Sequence, residues 1–159
     1  MYVCITTLHM QNLNLPGIDL RIRNSVEKRE VFDVIRKKFV SLTQEEWVRQ
    51  HFLHYLINQK NVPASLIGVE KQIKFNQLKK RFDIVVFGKR GNPILIVECK
   101  APEVSISQDV FHQIALYNMT LKVSYLLVTN GLEHFACYVD HEKISYFFLQ
   151  EIPDYAGLE

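Results

Sequence analysis

The sequence predicts a single α/β domain in which two helices pack on a mixed β-sheet. The chain has 159 residues, enough for one sizeable core, and its 48% apolar and 23% charged residues are ordinary for a globular protein. The segments follow the order hairpin, helix, three strands, helix, three strands, which is typical of an α/β sandwich. We expect a poorly ordered lead-in over 1–18, one domain over 19–152 and a C-terminal tail over 153–159.

Local patterns place each element along the chain. Alternating polar and apolar residues predict a small hairpin from 19–23 and 29–33. The first helix is predicted to begin near Thr43, because Thr43 to Glu46 form a capping-box pattern, and to end at 61–63. The remaining segments are predicted as strands over 66–75, 82–87 and 94–99, a helix over 107–119, and strands over 123–129, 134–139 and 144–149.

Each predicted helix carries an apolar stripe that should face the sheet. The first stripe consists of Val48, Phe52, Tyr55 and Leu56, and the second of Val110, Phe111, Ile114 and Tyr117. The strands over 82–87 and 94–99 are almost wholly apolar, which is typical of strands buried on both faces. The sheet is therefore expected to form the centre of the domain.

Several classes of protein are excluded by the sequence. No run of about 18 apolar residues occurs, so no transmembrane helix is predicted, and the start of the chain lacks the basic residues and cleavage site of a signal peptide. The three cysteines, Cys4, Cys99 and Cys137, are odd in number and have no CxxC spacing, which argues against a disulfide framework or a structural zinc site. We therefore expect a cytoplasmic protein with no membrane partner.

Charge is unevenly distributed along the chain, although the net charge is only +2. The segment 71–90 holds seven basic residues and one acidic residue, whereas 133–159 holds six acidic residues and one basic residue. One end of the fold should therefore present a positive field and the other a negative field. A basic run is more often a solvated strand edge than a binding surface, and both interpretations stay open. The candidate nucleic-acid contacts are Lys79, Lys80, Arg81, Lys89 and Arg90.

Three ionisable residues interrupt the two apolar strands. Asp83 lies in the first strand, and Glu98 and Lys100 lie at the end of the second. A six-residue loop between Phe87 and Ile94 would pair these two residues, which places Asp83 directly across from Glu98. Opposed residues and residues two apart share a face, so the three charged side chains should converge at one end of the hairpin. A register slip of one residue would break this arrangement.

The chemistry of these three residues points to phosphate. Two opposed carboxylates repel each other unless a cation neutralises them, and their hard oxygens favour Mg²⁺, with Mn²⁺ as a substitute. A bound metal would polarise a phosphodiester and lower the pKa of bound water, and Lys100 would orient the water or stabilise a pentacovalent phosphate. The alternative interpretation is a structural ion pair between Glu98 and Lys100 at a strand end.

Asp83 followed by Glu98-Cys99-Lys100 resembles the D…ExK core of the PD-(D/E)XK nuclease superfamily, whose elements follow the order αβββαβ. More narrowly, the chain over about 20–150 resembles the N-terminal nuclease domain of type I restriction enzyme R subunits. The segments that carry this resemblance are 45–50, 81–85, 96–102 and 113–117. The resemblance implies a restriction-endonuclease-like fold, DNA as the substrate, and restriction-modification subunits as candidate partners.

The resemblance also implies roles for individual residues. Asp83 and Glu98 would bind Mg²⁺ together with the backbone carbonyl of Cys99, and Lys100 would be the catalytic lysine. The spacing of the residues alone does not choose between these roles and a structural ion pair.

Two further assignments follow from the same family. Gln113 and Tyr117 match a QxxxY motif that some of these nucleases place beside the site, and residues four apart lie on one helix face. Tyr117 also belongs to the apolar stripe, so core packing remains an alternative for it. The family's first helix often supplies another acidic residue. Glu45 is preferred because it lies on the inward face, whereas Glu46 is explained as the capping partner of Thr43.

The expected function is metal-dependent hydrolysis of nucleic acid. No GxxxxGK[ST] motif occurs, so no ATP-driven motor is expected in this polypeptide. The first alternative is a catalytically inactive nucleic-acid-binding or protein-docking module of the same fold. The second is a structural protein in which the charged residues only close a strand end. Metal binding separates the nuclease from both alternatives, and the salt dependence of DNA affinity separates the alternatives from each other.

Overall fold

A computed structural model describes residues 10–159, apart from the side chains of Phe75, Leu78 and Tyr117, so the first part of the predicted lead-in lies outside the described residues. The first three strands are β1 Ile22–Asn24, β2 Arg29–Asp33 and β3 Lys38–Ser41. The later strands are β4 Ile67–Phe75, β5 Leu78–Phe87, β6 Pro93–Cys99, β7 Tyr125–Thr129, β8 His134–Asp140 and β9 Ser145–Phe148. The helices are α1 Gln44–Gln59, α2 Gln108–Met119 and α3 Tyr155–Leu158, with a 3-10 turn at Ala64–Leu66.

The order of these elements confirms the predicted α/β fold. From α1 to β7 the chain forms a helix, three strands, a helix and a strand. Strands β4 to β9 form a six-stranded sheet in sequence order, in which β6 and β7 pair in parallel and the other neighbours are antiparallel, so the sheet is mixed as predicted. Within residues 10–159, no helix is long and apolar enough to cross a membrane.

The predicted N-terminal hairpin is present and is extended by β3 into a three-stranded antiparallel sheet. Asp33 holds the turn between β2 and β3, because its Oδ1 accepts hydrogen bonds from the backbone N–H groups of Ile35 at 2.8 Å and Arg36 at 2.7 Å. Lys37 in this turn has a φ of 55°, in the left-handed region. The third strand was not predicted, since four residues carry too little alternation to be recognised.

Helix α1 begins and ends close to the predicted positions. The Thr43 Oγ1 accepts a hydrogen bond from the Glu46 backbone N–H at 3.0 Å, and Val48, Phe52 and Leu56 are fully buried. The predicted capping box is only half formed. The Glu46 carboxylate turns toward two arginines instead of the Thr43 N–H.

Helix α2 buries a face slightly different from the predicted one. The Ser107 Oγ accepts a hydrogen bond from the Val110 N–H at 3.2 Å, which caps the helix as expected. Val110 itself is 38% exposed, so its predicted place in the apolar stripe is wrong. The buried face instead follows Phe111, Ala115 and Asn118, which lie four and three residues apart.

Strands β5 and β6 pair in the predicted register nearest the charged residues. The observed pairs there are Ile84 with Val97, Val85 with Ile96 and Val86 with Leu95. At the turn end of the hairpin, Phe87 pairs with Pro93 rather than with Ile94, because a bulge interrupts the ladder after Val86. The bulge changes only the turn end, so the predicted register holds as far as Ile84 and Val97, where the pairing ends next to Asp83 and Glu98.

The six-stranded sheet is buried on both faces, as its apolar strands predicted. The α1-side core includes Val48, Phe52, Leu56, Ile84, Val86 and Val97. The α2-side core includes Phe82, Val85, Ile96, Phe111, Ala115 and Val128. Because each large apolar side chain contributes about 1.5–3 kcal/mol when buried, the two cores hold the charged end of the β5–β6 hairpin on a rigid support.

Both ends of the described chain pack against the domain. In the predicted lead-in, the Asn14 N–H donates to the Gly131 carbonyl at 2.8 Å, and Trp47 Nε1 donates to the Gln11 carbonyl at 3.0 Å. In the predicted tail, Tyr155 is buried in the α1-side core. The short helix α3 that carries it has four residues, too few for a periodic signal in the sequence.

Candidate active site

The side chains of strand β5 do not alternate regularly between the two faces of the sheet on either side of Asp83. Phe82 packs in the α2-side core and Ile84 in the α1-side core, although residues two apart in a regular strand share a face. The ladder between β4 and β5 skips Glu70, which has a φ of 51°. This local irregularity frees the Asp83 side chain from strict alternation and lets it reach α1.

The Asp83 carboxylate makes two short hydrogen bonds at the end of the β5–β6 pairing. Its Oδ2 accepts from the Cys99 backbone N–H at 2.7 Å, and its Oδ1 accepts from Arg49 Nη2 at 2.6 Å. The ladder between the two strands ends at Ile84 and Val97. Asp83 therefore takes the place of a backbone acceptor and ties the last residue of β6 to α1.

Glu98 is buried on the other side of the hairpin end, with a relative exposure of 9%. Its Oε1 lies 3.0 Å from the Lys80 ammonium, which also lies 4.9 Å from the centre of the Phe82 ring. Burial raises the pKa of the Glu98 carboxyl; Lys80 opposes this rise, and the negative charge of Asp83 adds to it. Lys80, predicted as a nucleic-acid contact, is thus an ion-pair partner within the site.

Lys100 and Glu45 complete the group of charged residues. The Lys100 backbone N–H donates to the Thr129 carbonyl at 2.8 Å, which fixes the chain directly after β6. Burial and the charge of Asp83 raise the pKa of Glu45, whereas the positive charge of Lys100 lowers it. Lys100 also lowers the pKa of Glu98, so its ammonium lies within electrostatic reach of both glutamates. Within residues 10–159, no hydrogen bond or ion pair holds that ammonium.

Arg49 is the residue at this site that the sequence did not indicate. It is 4% exposed and bridges Asp83 to two acids of its own helix: its Nη2 also lies 3.1 Å from Glu45, and its Nη1 bonds Glu46. Burial alone would lower the pKa of Arg49, but the charges of Glu46 and Asp83 raise it above its ordinary value. The signal that could have identified it is the spacing of three and four residues from Glu46 and Glu45.

A second layer of charged residues supports Arg49 from the N-terminal sheet. The Glu46 Oε1 accepts hydrogen bonds from Arg36 at 3.0 Å and from Gln50 at 2.8 Å. Arg36 in turn binds Asp33 at 2.7 Å, and Gln50 binds the same carboxylate at 2.9 Å. The turn between β2 and β3 is therefore linked through Glu46 to the candidate site.

The prediction that Asp83, Glu98 and Lys100 share one face of the hairpin is wrong for Asp83. Asp83 faces α1 and Glu98 faces Lys80, so regular alternation does not put the two carboxylates on one face. They are nevertheless electrostatic neighbours, because the charge of Asp83 contributes to the raised pKa of Glu98. The irregular side-chain alternation of β5 at Asp83, opposite Glu70, accounts for this arrangement.

The other predicted residues whose side chains are described lie at the surface. Gln113 is exposed on α2, and the side chain of Tyr117 is outside the described part of the protein, so the QxxxY assignment stays a prediction. The basic residues Lys79, Arg81, Lys89 and Arg90 are exposed. Lys89 Nζ lies 3.3 Å from Glu159, in the loop between β5 and β6, at the other end of the β5–β6 pairing from Asp83. The role of the Cys99 carbonyl also stays a prediction.

Comparison with known proteins identifies the family. Residues 44–153 match the family described as type I restriction enzyme R protein N terminus. This match spans more than half of the chain. The chain belongs to this family. The segment that the R protein N-terminus family covers runs from α1 beyond β9, and so includes Glu45, Arg49, Asp83, Glu98 and Lys100.

A solved structure and the curated proteins were also compared. A fragment described as a putative HsdR subunit of a type I restriction enzyme from Vibrio vulnificus YJ016 matches with a TM-score of 0.49 and 17% sequence identity. The match covers 71% of this chain and 24% of that chain, so this chain spans about a quarter of the length of the solved R-subunit fragment. No curated protein sequence matches this chain.

Proposed function

We propose that this chain is a metal-dependent nuclease domain that hydrolyses phosphodiester bonds of DNA. The observation that carries the proposal is the hydrogen bond of 2.7 Å from the Cys99 N–H to Asp83, because it brings this carboxylate to the strand end that carries Glu98 and Lys100 on either side of Cys99. A buried carboxylate beside a second carboxylate and an ammonium that no described side chain pairs is chemistry suited to phosphate. Membership of the R protein N-terminus family supports a role in DNA restriction, with restriction-modification subunits as partners.

Mg²⁺ fits the donor chemistry of this site. Asp83, Glu98 and Glu45 offer carboxylate oxygens, the hard ligands that Mg²⁺ prefers. Burial is the main cause of the raised pKa of both Glu98 and Glu45, and the negative charge of Asp83 adds to it, so a bound cation would favour the charged form of each carboxyl. Among the described residues, no three acids are already arranged around one point, so binding requires side chains to move. Asp83, Glu98 and the Cys99 carbonyl would hold the ion, with Glu45 as a further candidate.

The proposed reaction is an attack of water on phosphorus. When bound, Mg²⁺ would supply polarisation of the phosphate and a water of lowered pKa. A bond forms between the water oxygen and phosphorus while the water gives up a proton to solvent. The bond from phosphorus to one ester oxygen breaks, and this leaving oxygen takes up a proton from solvent. Lys100 would set its ammonium beside the phosphate oxygens on which negative charge increases, which stabilises the transition state. The hydrogen bond from the Lys100 N–H to the Thr129 carbonyl fixes the backbone that carries this side chain.

Cleavage of linear double-stranded DNA tests this proposal directly. We expect nicks or breaks with Mg²⁺ or Mn²⁺, no cleavage with excess chelator, and no cleavage by Asp83→Asn. Glu142→Gln is the matched control, because Glu142 is an exposed acid after the end of β8 that lies farthest from Thr129 and Cys99, and its replacement should leave cleavage unchanged. Cleavage that persists in chelator, or that survives Asp83→Asn, would contradict the proposal.

We also propose that DNA lies along the β4–β5 hairpin. Lys74 and Lys79 are directly opposed in this hairpin, next to the opposed pair of Gln72 and Arg81. Opposed like charges destabilise a strand pair unless an anion lies between them, and a phosphate backbone supplies such anions. The same hairpin carries Lys80 to Glu98, so a DNA strand bound along it would lead to the site.

Neutralising two of these lysines should weaken DNA binding at every sequence alike. For Lys74→Gln combined with Lys79→Gln, we expect the slope of log affinity against log salt to flatten by roughly one to two units, about 0.9 for each phosphate that the protein no longer neutralises. Lys143→Gln, in the acidic end of the chain, is the control and should leave the slope unchanged. Titration of a fluorescent duplex at several salt concentrations measures it, and an unchanged slope in the double variant would place the DNA elsewhere.

One observation favours the catalytically inactive alternative. Arg49 and Lys80 each contact one of the two carboxylates proposed to bind metal, at 2.6 Å and 3.0 Å. A site whose acids are satisfied by internal cations could serve only to shape a nucleic-acid-binding surface. The cleavage assay decides between the two functions, because the inactive module would bind DNA with the same salt slope and leave it intact.

A further inference from the structure

The Arg49 guanidinium occupies an oxygen that the proposed metal would need. Asp83 has both carboxylate oxygens engaged, Oδ1 by Arg49 Nη2 at 2.6 Å and Oδ2 by the Cys99 N–H at 2.7 Å. The Cys99 N–H belongs to the strand backbone and is fixed by the pairing of β6 with β7. The bond from Arg49 to Oδ1 is therefore the one that can open when a cation approaches.

Arg49 has other partners that remain when it leaves Asp83. Its Nη1 bonds Glu46, and its Nη2 already lies 3.1 Å from Glu45. Glu46 is itself held by Arg36 and Gln50. A small movement of Nη2 from Asp83 toward Glu45 would keep the buried guanidinium paired, so releasing Oδ1 does not leave an unpaired buried charge.

We propose that Arg49 is a positioning residue that substitutes for the divalent cation: it holds Asp83 in the metal-free protein and yields Oδ1 when the cation binds. This inference rests on the proposed metal-dependent function. In this proposal the Arg49 guanidinium and the divalent cation compete for the same atom, Oδ1 of Asp83. Arg49 thereby stabilises the empty site and lowers the apparent affinity of the filled one.

Replacing Arg49 should separate this role from simple structural support. Arg49→Met removes the charge and leaves Asp83, Glu45 and Glu46 without their common partner. We expect its Tm without metal to fall below that of the wild type, and saturating Mn²⁺ to raise its Tm by more than it raises the wild-type Tm, because the cation replaces the missing charge at Asp83.

Arg36→Met is the matched control. Arg36 binds Asp33, Glu46 and Glu70 in the same network but does not contact Asp83. Its loss should lower the Tm without metal, and Mn²⁺ should then raise the Tm only as much as in the wild type. An Mn²⁺ effect equal in wild type, Arg49→Met and Arg36→Met would overturn the proposal.

Arg49→Lys provides a second variant that keeps a positive charge in case the methionine variant fails to fold. A lysine lacks the two separate NH2 groups with which Arg49 reaches Glu46 and Asp83, so it should hold Asp83 less firmly and leave Oδ1 free for a larger fraction of the time. We expect Mn²⁺ to bind this variant roughly tenfold more tightly than the wild type in calorimetry, since the apparent affinity scales with the fraction of open sites.

The calorimetric outcomes separate the two proposals. Wild-type protein that binds Mn²⁺ through Asp83, together with an Arg49→Lys variant that binds equally or more weakly, would overturn the role of Arg49 and leave the proposed function standing. Wild-type protein that binds no Mn²⁺ while Arg49→Lys binds it would support the competition. Absence of binding by both proteins would overturn the metal site and the role of Arg49 with it.

Discussion

Replacing Lys100 by alanine is expected to lower the rate of DNA cleavage by about 100-fold or more, as the loss of one transition-state donor does in other enzymes, while DNA affinity hardly changes. The reason is that no described side chain pairs with the Lys100 ammonium, and in the proposed mechanism this ammonium acts only where negative charge develops on phosphate. Single-turnover rates with excess enzyme, measured beside binding of the same duplex, separate the two effects.

The structural interpretation of Lys100 predicts a different result from the same experiment. If Lys100 serves only as a strand-end partner of Glu98, the alanine variant should lose stability and show no selective fall in cleavage rate. Lys143→Ala is the control for a general effect of removing positive charge, because Lys143 is an exposed lysine near Asp140. A Lys100→Ala variant that cleaves at the wild-type rate would remove Lys100 from the mechanism.

The largest effect on stability is expected for Glu46→Ala. This carboxylate is 6% exposed and accepts hydrogen bonds from Arg36, Arg49 and Gln50. Its removal leaves two arginines without a shared buried partner, and breaking such a pair costs about 3–5 kcal/mol. The free energy of unfolding from urea titration should therefore fall by that amount.

The control for Glu46→Ala is a variant that removes an ion pair at the protein surface. We choose Lys143→Ala, which removes the exposed ion pair between Lys143 and Asp140, because Asp140→Ala would also remove a hydrogen bond to the backbone. This exposed ion pair should contribute less than about 1 kcal/mol to the free energy of unfolding. A Glu46→Ala variant that is as stable as Lys143→Ala would show that the network from Asp33 to Asp83 does not contribute to folding. It would also weaken the view that α1 is held in place by this network.

Much of the fold could be predicted because its signals are local. The Thr43 cap, the apolar spacing of Val48 and Phe52, and the apolar strands each report on neighbouring residues, and all of them are confirmed. The register of β5 and β6 next to Asp83 was also predictable, because loop length sets it. Signals of this kind do not depend on distant parts of the chain.

The details of the site depend on contacts between distant segments, which the sequence does not reveal. Regular alternation predicted that the Asp83 and Glu98 side chains share one face, but the side chains of β5 do not alternate regularly at Asp83. Glu46 was interpreted as a capping residue, because its other role depends on Arg36, ten residues earlier in the chain. Arg49 has an ordinary position in an amphipathic pattern, and only its contact with Asp83, 34 residues away, gives it a role.

Calorimetric titration of Mn²⁺ is the most direct test of the claim that Asp83 and Glu98 form a metal site. We predict binding of one Mn²⁺ by the wild-type protein, and strongly reduced heat for Asp83→Asn and for Glu98→Gln. Glu142→Gln should bind like the wild type, because Glu142 is an exposed acid after the end of β8 that lies farthest from Thr129 and Cys99. Equal heats from wild type, Asp83→Asn and Glu98→Gln would contradict the account.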